Sequence, residues 1–185
     1  MVYALRARRA FRSALLAASA ALLLAGCPLI ADYPLSDPKA AHIDADLCGS
    51  WETRDAESGK ASYLRFMPFD EHELVGITTN GDGAEASALR AFTTVIEGTK
   101  FINVRELGKD ISGWSILRYG IEDGALRLTS IDDGLLRGKD YVSSSGLYEM
   151  IKLNLDDPRL FAPSEGEAPF EMVWSRVPEE APKNG

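Results

Sequence analysis

Residues 113–132 read GWSILRYGIEDGALRLTSID, and the reading of this stretch decides the fold. Two runs rich in leucine, isoleucine, tyrosine and threonine flank the pair Asp123-Gly124. A two-residue type I′ turn needs positive φ at both central positions, which this pair supplies, so the runs are expected to fold back as antiparallel neighbours. The same pattern repeats outward. SWETRD, SYLRFMPFD, ELVGITTN, FTTVIEG and KFINVREL precede the hairpin, and FEMVWSRV follows it. The links AESGK, Glu71-His72 and GKDISG are short, and links of that length make a meander. An open antiparallel sheet of these eight strands would expose two unpaired edges, so the sheet is expected to close on itself.

Two segments break the strand pattern. Residues 84–91, AEASALRA, are alanine-rich and are expected to form a turn or two of helix over one barrel mouth. In SGLYEMIKLNLDD, residues Leu147, Met150, Ile151 and Leu155 recur at three and four residues, the spacing of one apolar helical stripe. Ser145 is the expected N-cap, Glu149 falls in the expected first turn, and Pro158 limits the helix. The stripe is expected to pack against the sheet.

The amino-terminal region is of another kind. Arg6, Arg8, Arg9 and Arg12 precede an apolar run from Ala14 to Ala25, which ends in LLLAGC at Cys27. A basic, then apolar, then small-residue order is that of an export signal, and the run falls short of the roughly 20 residues a membrane-spanning helix needs. Leu24, Ala25, Gly26 and Cys27 match the lipobox, and here the chain resembles bacterial lipoproteins. The resemblance implies cleavage before Cys27, a diacylglyceryl group on its sulfur and acylation, with palmitate, of its new amino group. Two or three acyl chains give a stable membrane anchor where one chain holds only marginally. Pro28 follows Cys27 where inner-membrane retention would want aspartate, so the resemblance implies an outer-membrane anchor facing the periplasm, with the inner membrane or cell surface as alternatives. The competing reading is an ordinary secretory leader cut elsewhere. On these grounds the chain divides into a signal peptide (1–26), a flexible proline-containing tether (27–46), a β-barrel domain (47–178) and a disordered tail (179–185).

Removing the leader takes away four arginines and no acids, leaving 159 residues with 16 basic against 28 acidic side chains, a formal charge of −12. A field of that sign disfavours nucleic acid and anionic headgroups. With Cys27 acylated, Cys48 stands alone, and with only His42 and His72 in the chain it has no evident catalytic partner.

Gly49-Ser50-Trp51 opens the first strand and resembles the Gly-x-Trp signature of lipocalins and related calycin barrels. The resemblance implies that Trp51 plugs the closed end of the barrel and that a late arginine, by position Arg176, packs across it. In that family the helix follows the eighth strand, whereas here it precedes it. The expected fold class is therefore mainly β: an eight-stranded antiparallel meander closing into a lipocalin-like barrel, with one amphipathic helix before the last strand. FINVREL and ILRYGI are also similar to runs in uncharacterised bacterial lipoproteins, a similarity that implies no activity.

Arginine recurs on three adjacent strands. Asn103 and Arg105 alternate with Ile102 and Val104, Arg118 with Leu117 and Tyr119, and Arg127 with Leu126 and Leu128. Either the apolar residues fill the interior and the arginines lie outside beside acids, or the arginines face inward toward an anionic headgroup or carboxylate. The second placement would make Arg105, Arg118, Arg127 and Asn103 ligand-binding residues. Phosphate loops, CxxC, HExxH and nucleophile-elbow motifs are absent from the sequence. NGDG at 80–83 places Thr78 and Leu89 where a calcium loop wants Asp and Glu. Asp70, Glu71, His72 and Glu73 read as a solvated acidic turn. No cofactor, metal or nucleic acid is expected. The expected function is a non-enzymatic, lipid-anchored envelope protein that binds a small amphiphilic ligand; the alternatives are a docking or structural/inhibitory module for an envelope protein. An enzyme would need an unrecognised site, for which Ser143 to Ser145 and the His72 turn are poor candidates.

Overall fold

Asp123 and Gly124 take φ values of 51° and 75°, the positive pair that a type I′ turn demands, and the flanking strands fold back upon one another. The computed structural model describes residues 29–81, 83, 86–108, 113–132, 142–162 and 171–178. Cys27, the expected leader (1–26) and residues 179–185 lie outside the described residues. In chain order the strands are β1 (Ile30–Ala31), β2 (Gly49–Arg54), β3 (Ala61–Pro68), β4 (Leu74–Asn80), β5 (Ala86–Ile96), β6 (Thr99–Glu106), β7 (Trp114–Glu122), β8 (Ala125–Ser130) and β9 (Glu171–Arg176). Among the described residues one α-helix, α1 (Ser144–Leu153), precedes β9.

Strands β2 to β9 pair antiparallel in sequence order, and β9 returns to β2 with Trp51 opposite Arg176. The sheet is thus a closed eight-stranded barrel. Alternation sends Trp51, Leu64, Phe66, Ala91, Ile102, Leu117, Leu126 and Trp174 into one interior cluster. A second core lies outside the wall. There Ile96, Phe101 and Ile116 meet Leu147 and Ile151 of α1, together with Leu29, Ala31 and Leu35. Strand β6 is therefore covered on both faces, and Phe101, Ile102 and Asn103 are each 0% exposed. Among the described residues no helix is long and apolar enough to cross a membrane.

Three expectations are corrected. The alanine-rich segment is strand, not helix: residues 86–91 form the first half of β5, all in register with β4 and, from Leu89 on, with β6 as well. Alanine's helix preference is only a few tenths of a kcal/mol over its alternatives, and two ladders of hydrogen bonds outweigh it. Its small side chain also suits the lumen, where Ala91 is fully buried. The helix N-cap is Ser143, whose hydroxyl accepts from Gly146 N at 3.1 Å, so Glu149 lies beyond the first turn.

The third correction concerns the tether, because residues 29–46 are packed and not extended. β1 pairs with the start of β7 at the edge that β8 has vacated. The chain then crosses the outer wall, with Leu35 N donating to Asn103 Oδ1 at 2.7 Å and Ser36 and Thr94 hydroxyls 2.7 Å apart. Thr93 donates to the His42 carbonyl at 2.7 Å, and His72 Nδ1 donates to the Ala41 carbonyl at 2.9 Å. Leu29, Ala31, Leu35 and Ala41 are all buried. Prolines and mixed polarity resemble a linker in sequence, yet here they carry a strap with one apolar edge against an already apolar wall.

Candidate functional site

The closed end is built on Trp51. Its ring is 0% exposed, its Nε1 donates to the Leu47 carbonyl at 2.9 Å, and the Arg176 guanidinium lies 4.2 Å from the ring centroid. Arg176 also donates to the Cys48 carbonyl at 2.9 Å and to the Asp46 carbonyl, so one fork ties the last strand to the strap that enters the first. Beneath this, Asp44 accepts from Tyr119 Oη at 2.8 Å and Lys100 Nζ at 2.7 Å.

Burial alone would push the Asp44 carboxyl up, but the hydrogen bonds from Lys100, Tyr119 and the Asp46 amide bring it below its ordinary value of 3.8. Burial, and then the Asp44 carboxylate, push the Tyr119 hydroxyl far above its usual range, so it remains a donor. A carboxyl depressed on folding contributes stability that is present above its unfolded pKa and lost as pH falls through the folded one. Asp44→Asn is therefore expected to cost about 1 kcal/mol at pH 7, and the gap should close as the pH falls below the ordinary carboxyl value of 3.8. Urea midpoints of parent and variant across that range check this. An unchanged gap in acid would mean that the charge of Asp44 does not carry the contact.

Above this floor the lumen changes character. Thr53, Ser62, Thr78 and Ser87 continue the inward positions of β2 to β5, and all are half-buried. They share the upper lumen with Val104, Leu128 and Met172. Trp174 is 9% exposed, and its indole Nε1 has no hydrogen-bond partner among the described residues. A buried N–H left unpaired costs about 1–3 kcal/mol, so this donor favours an acceptor within the lumen.

The arginines lie on the outer wall. Arg105 stacks on Trp114 at 4.8 Å, Arg118 on Phe161 at 4.0 Å, and Arg127 pairs with Glu171 at 2.9 Å. Asn103 is also an outer-wall residue and serves the strap, its Nδ2 donating to Thr94 Oγ1 at 3.0 Å and to the Phe92 carbonyl at 3.3 Å. The four side chains are thus spread over strap, helix and sheet contacts and do not converge. The acidic turn is occupied structurally: Asp70 caps the His72 and Glu73 amides at 2.8 Å, and Glu73 accepts from Arg90. Ser143 to Ser145 line an open groove of about 610 Å³ between α1 and the strap, with Tyr33, Leu35 and Tyr148. Asp82 of the NGDG loop lies outside the described residues. Burial first, and then the Asp44 charge, push the Cys48 thiol up, away from nucleophilic thiolate character. Among the described residues no group of three His, Cys, Asp or Glu side chains is placed to hold a metal.

Sequence reasoning located Trp51 and Arg176 but missed Trp174, the Asp44-Tyr119-Lys100 contact and the role of Asn103. FEMVWSRV does show a tryptophan two residues before the closing arginine, hence on the same inward face. Comparisons with protein-family models, curated proteins and solved structures find no match, so the fold rests on this geometry itself.

Proposed function

We propose that this chain is a lipid-anchored cell-envelope protein, held in the outer membrane through Cys27, that works by binding a small amphiphilic molecule and not by catalysis. The observation that carries the ligand is the Trp174 N–H, the one buried side-chain polar atom without a hydrogen-bond partner among the described residues. Around it the lining is two-sided, with hydroxyls from β2 to β5 and apolar side chains from β6, β8 and β9. A carbonyl or carboxylate would accept from the indole while an acyl chain lies along the apolar side. The Gly-x-Trp opening and the Trp51-Arg176 pair support a lipocalin-like assignment; the helix position departs from it.

Expression in a Gram-negative host is expected to give a membrane-bound product that incorporates labelled palmitate, and Cys27→Ala should abolish the label. Equal labelling of parent and variant would refute the anchor. For the ligand, the purified chain should bind a fluorescent long-chain fatty acid, and Trp174→Phe should weaken that binding about fivefold, the worth of one hydrogen bond. No probe binding, and no co-purified lipid by mass spectrometry, would refute ligand carriage. Docking on an envelope protein would then be favoured by the groove between α1 and the strap, which is open and largely apolar.

A further inference from the structure

Leu29 is 4% exposed, donates its N–H to the Ile131 carbonyl at 3.2 Å, and accepts at its own carbonyl from Ile116 N at 3.4 Å. A residue fixed in the barrel wall therefore stands only two positions after Cys27. Two extended residues span at most about 7 Å. Leu29 is seated beside Ile116, the third residue of β7, near the upper end of the barrel where β2, β4, β6 and β8 finish. The Asp123-Gly124 turn at the closed end lies seven residues farther along that chain, about 23 Å away at the usual strand rise. A link of 7 Å reaches from one end of the barrel only.

We infer that the upper end of the barrel, on the side of β1, lies directly against the lipid surface, with the closed end pointing away from it. This rests on the lipid-anchor reading above and adds an orientation to it. Among the described residues of that rim two apolar side chains are exposed: Ile30 is 55% exposed, touches Gly113, and lies opposite Ser115 on the lumen side, and Leu107, following β6, is 44% exposed. Phe69 is exposed at the closed end as well, beside Asp70 and Glu71, so it is the short reach from Cys27 that selects the end.

The test uses the full, acylated chain purified from host membranes and reconstituted in phosphatidylcholine vesicles containing brominated phosphatidylcholine. A fluorophore is placed on Leu107→Cys in one variant and on Glu71→Cys in another, both with Cys48→Ser. Quenching is expected to be at least threefold stronger at position 107. Equal quenching, or stronger quenching at 71, overturns the orientation. Flotation separates the two claims: a chain that floats with unquenched labels keeps its anchor and refutes the orientation, whereas one that does not float refutes both. The parent chain supplies a measurement without new cysteines. Its amides at 107 and 108 should exchange at least threefold more slowly on vesicles than in the unanchored Cys27→Ala chain, with those at 70–72 unchanged; no slowing at 107 and 108 counts against the orientation.

Discussion

Replacing Trp51 with alanine is expected to lower the unfolding free energy by about 3–5 kcal/mol, the cost of emptying a fully buried aromatic site. Three contacts vanish together: the ring's share of the lumen core, the indole bond to Leu47, and the platform beneath Arg176. The cavity cannot collapse easily, because the ring lies at the seam where β2 meets both β3 and β9. For a chain of this size the loss corresponds to a fall in melting temperature of roughly 6–20 °C. Urea unfolding followed by far-ultraviolet circular dichroism measures it. A loss below about 1 kcal/mol would show that this side chain does not hold the closed end together.

Gly49→Ala is expected to cost about 1–3 kcal/mol, for a reason that volume alone would not suggest. Gly49 has a φ of +125°, a conformation that residues with a Cβ rarely adopt. A Cβ there would lie 2.8 Å from Arg176 Nη1, which is held by the Cys48 carbonyl and cannot move without losing it. The two causes separate in a double-mutant cycle with Arg176→Met. The steric part should disappear in that background and the backbone part remain. Full additivity of the two substitutions would mean that the glycine does not serve the arginine.

The meander was readable because β7, β8 and their turn carry an alternation and a φ requirement that few other folds satisfy. Closure was readable from Gly49, Trp51 and Arg176, whose contact needs the last strand to return to the first. The start of β5 was not, since Ala86 to Ala91 lack the β-branched and aromatic residues that mark a strand. Their partners on β4 and β6 decide their conformation. The strap escaped for a related reason: Leu29, Ala31, Leu35 and Ala41 share no helical or strand period, and what they cover is formed 50 to 130 residues later in the chain. The run Phe101-Ile102-Asn103 held a usable signal. Uninterrupted burial in a strand means both faces are covered, which should have raised the question of what covers the outer one. That same feature assigns the outer wall to the arginines, because Ile102, Val104, Leu117 and Leu126 take the inward positions.

The seating of Leu29 against Ile131 has a consequence for the order of biosynthesis. Leu29 is synthesised before the strands it bonds to, and its place does not exist until β7 and β8 have followed. The barrel itself closes only when β9 arrives to meet β2, a pairing across more than a hundred residues. Contacts this distant in sequence make for slow folding. Throughout that interval the strap that begins at Leu29 has no wall to lie against, and it is seated only after the strands it covers have formed. Seating of the strap is thus timed by topology, an early segment waiting for strands that come much later in the chain.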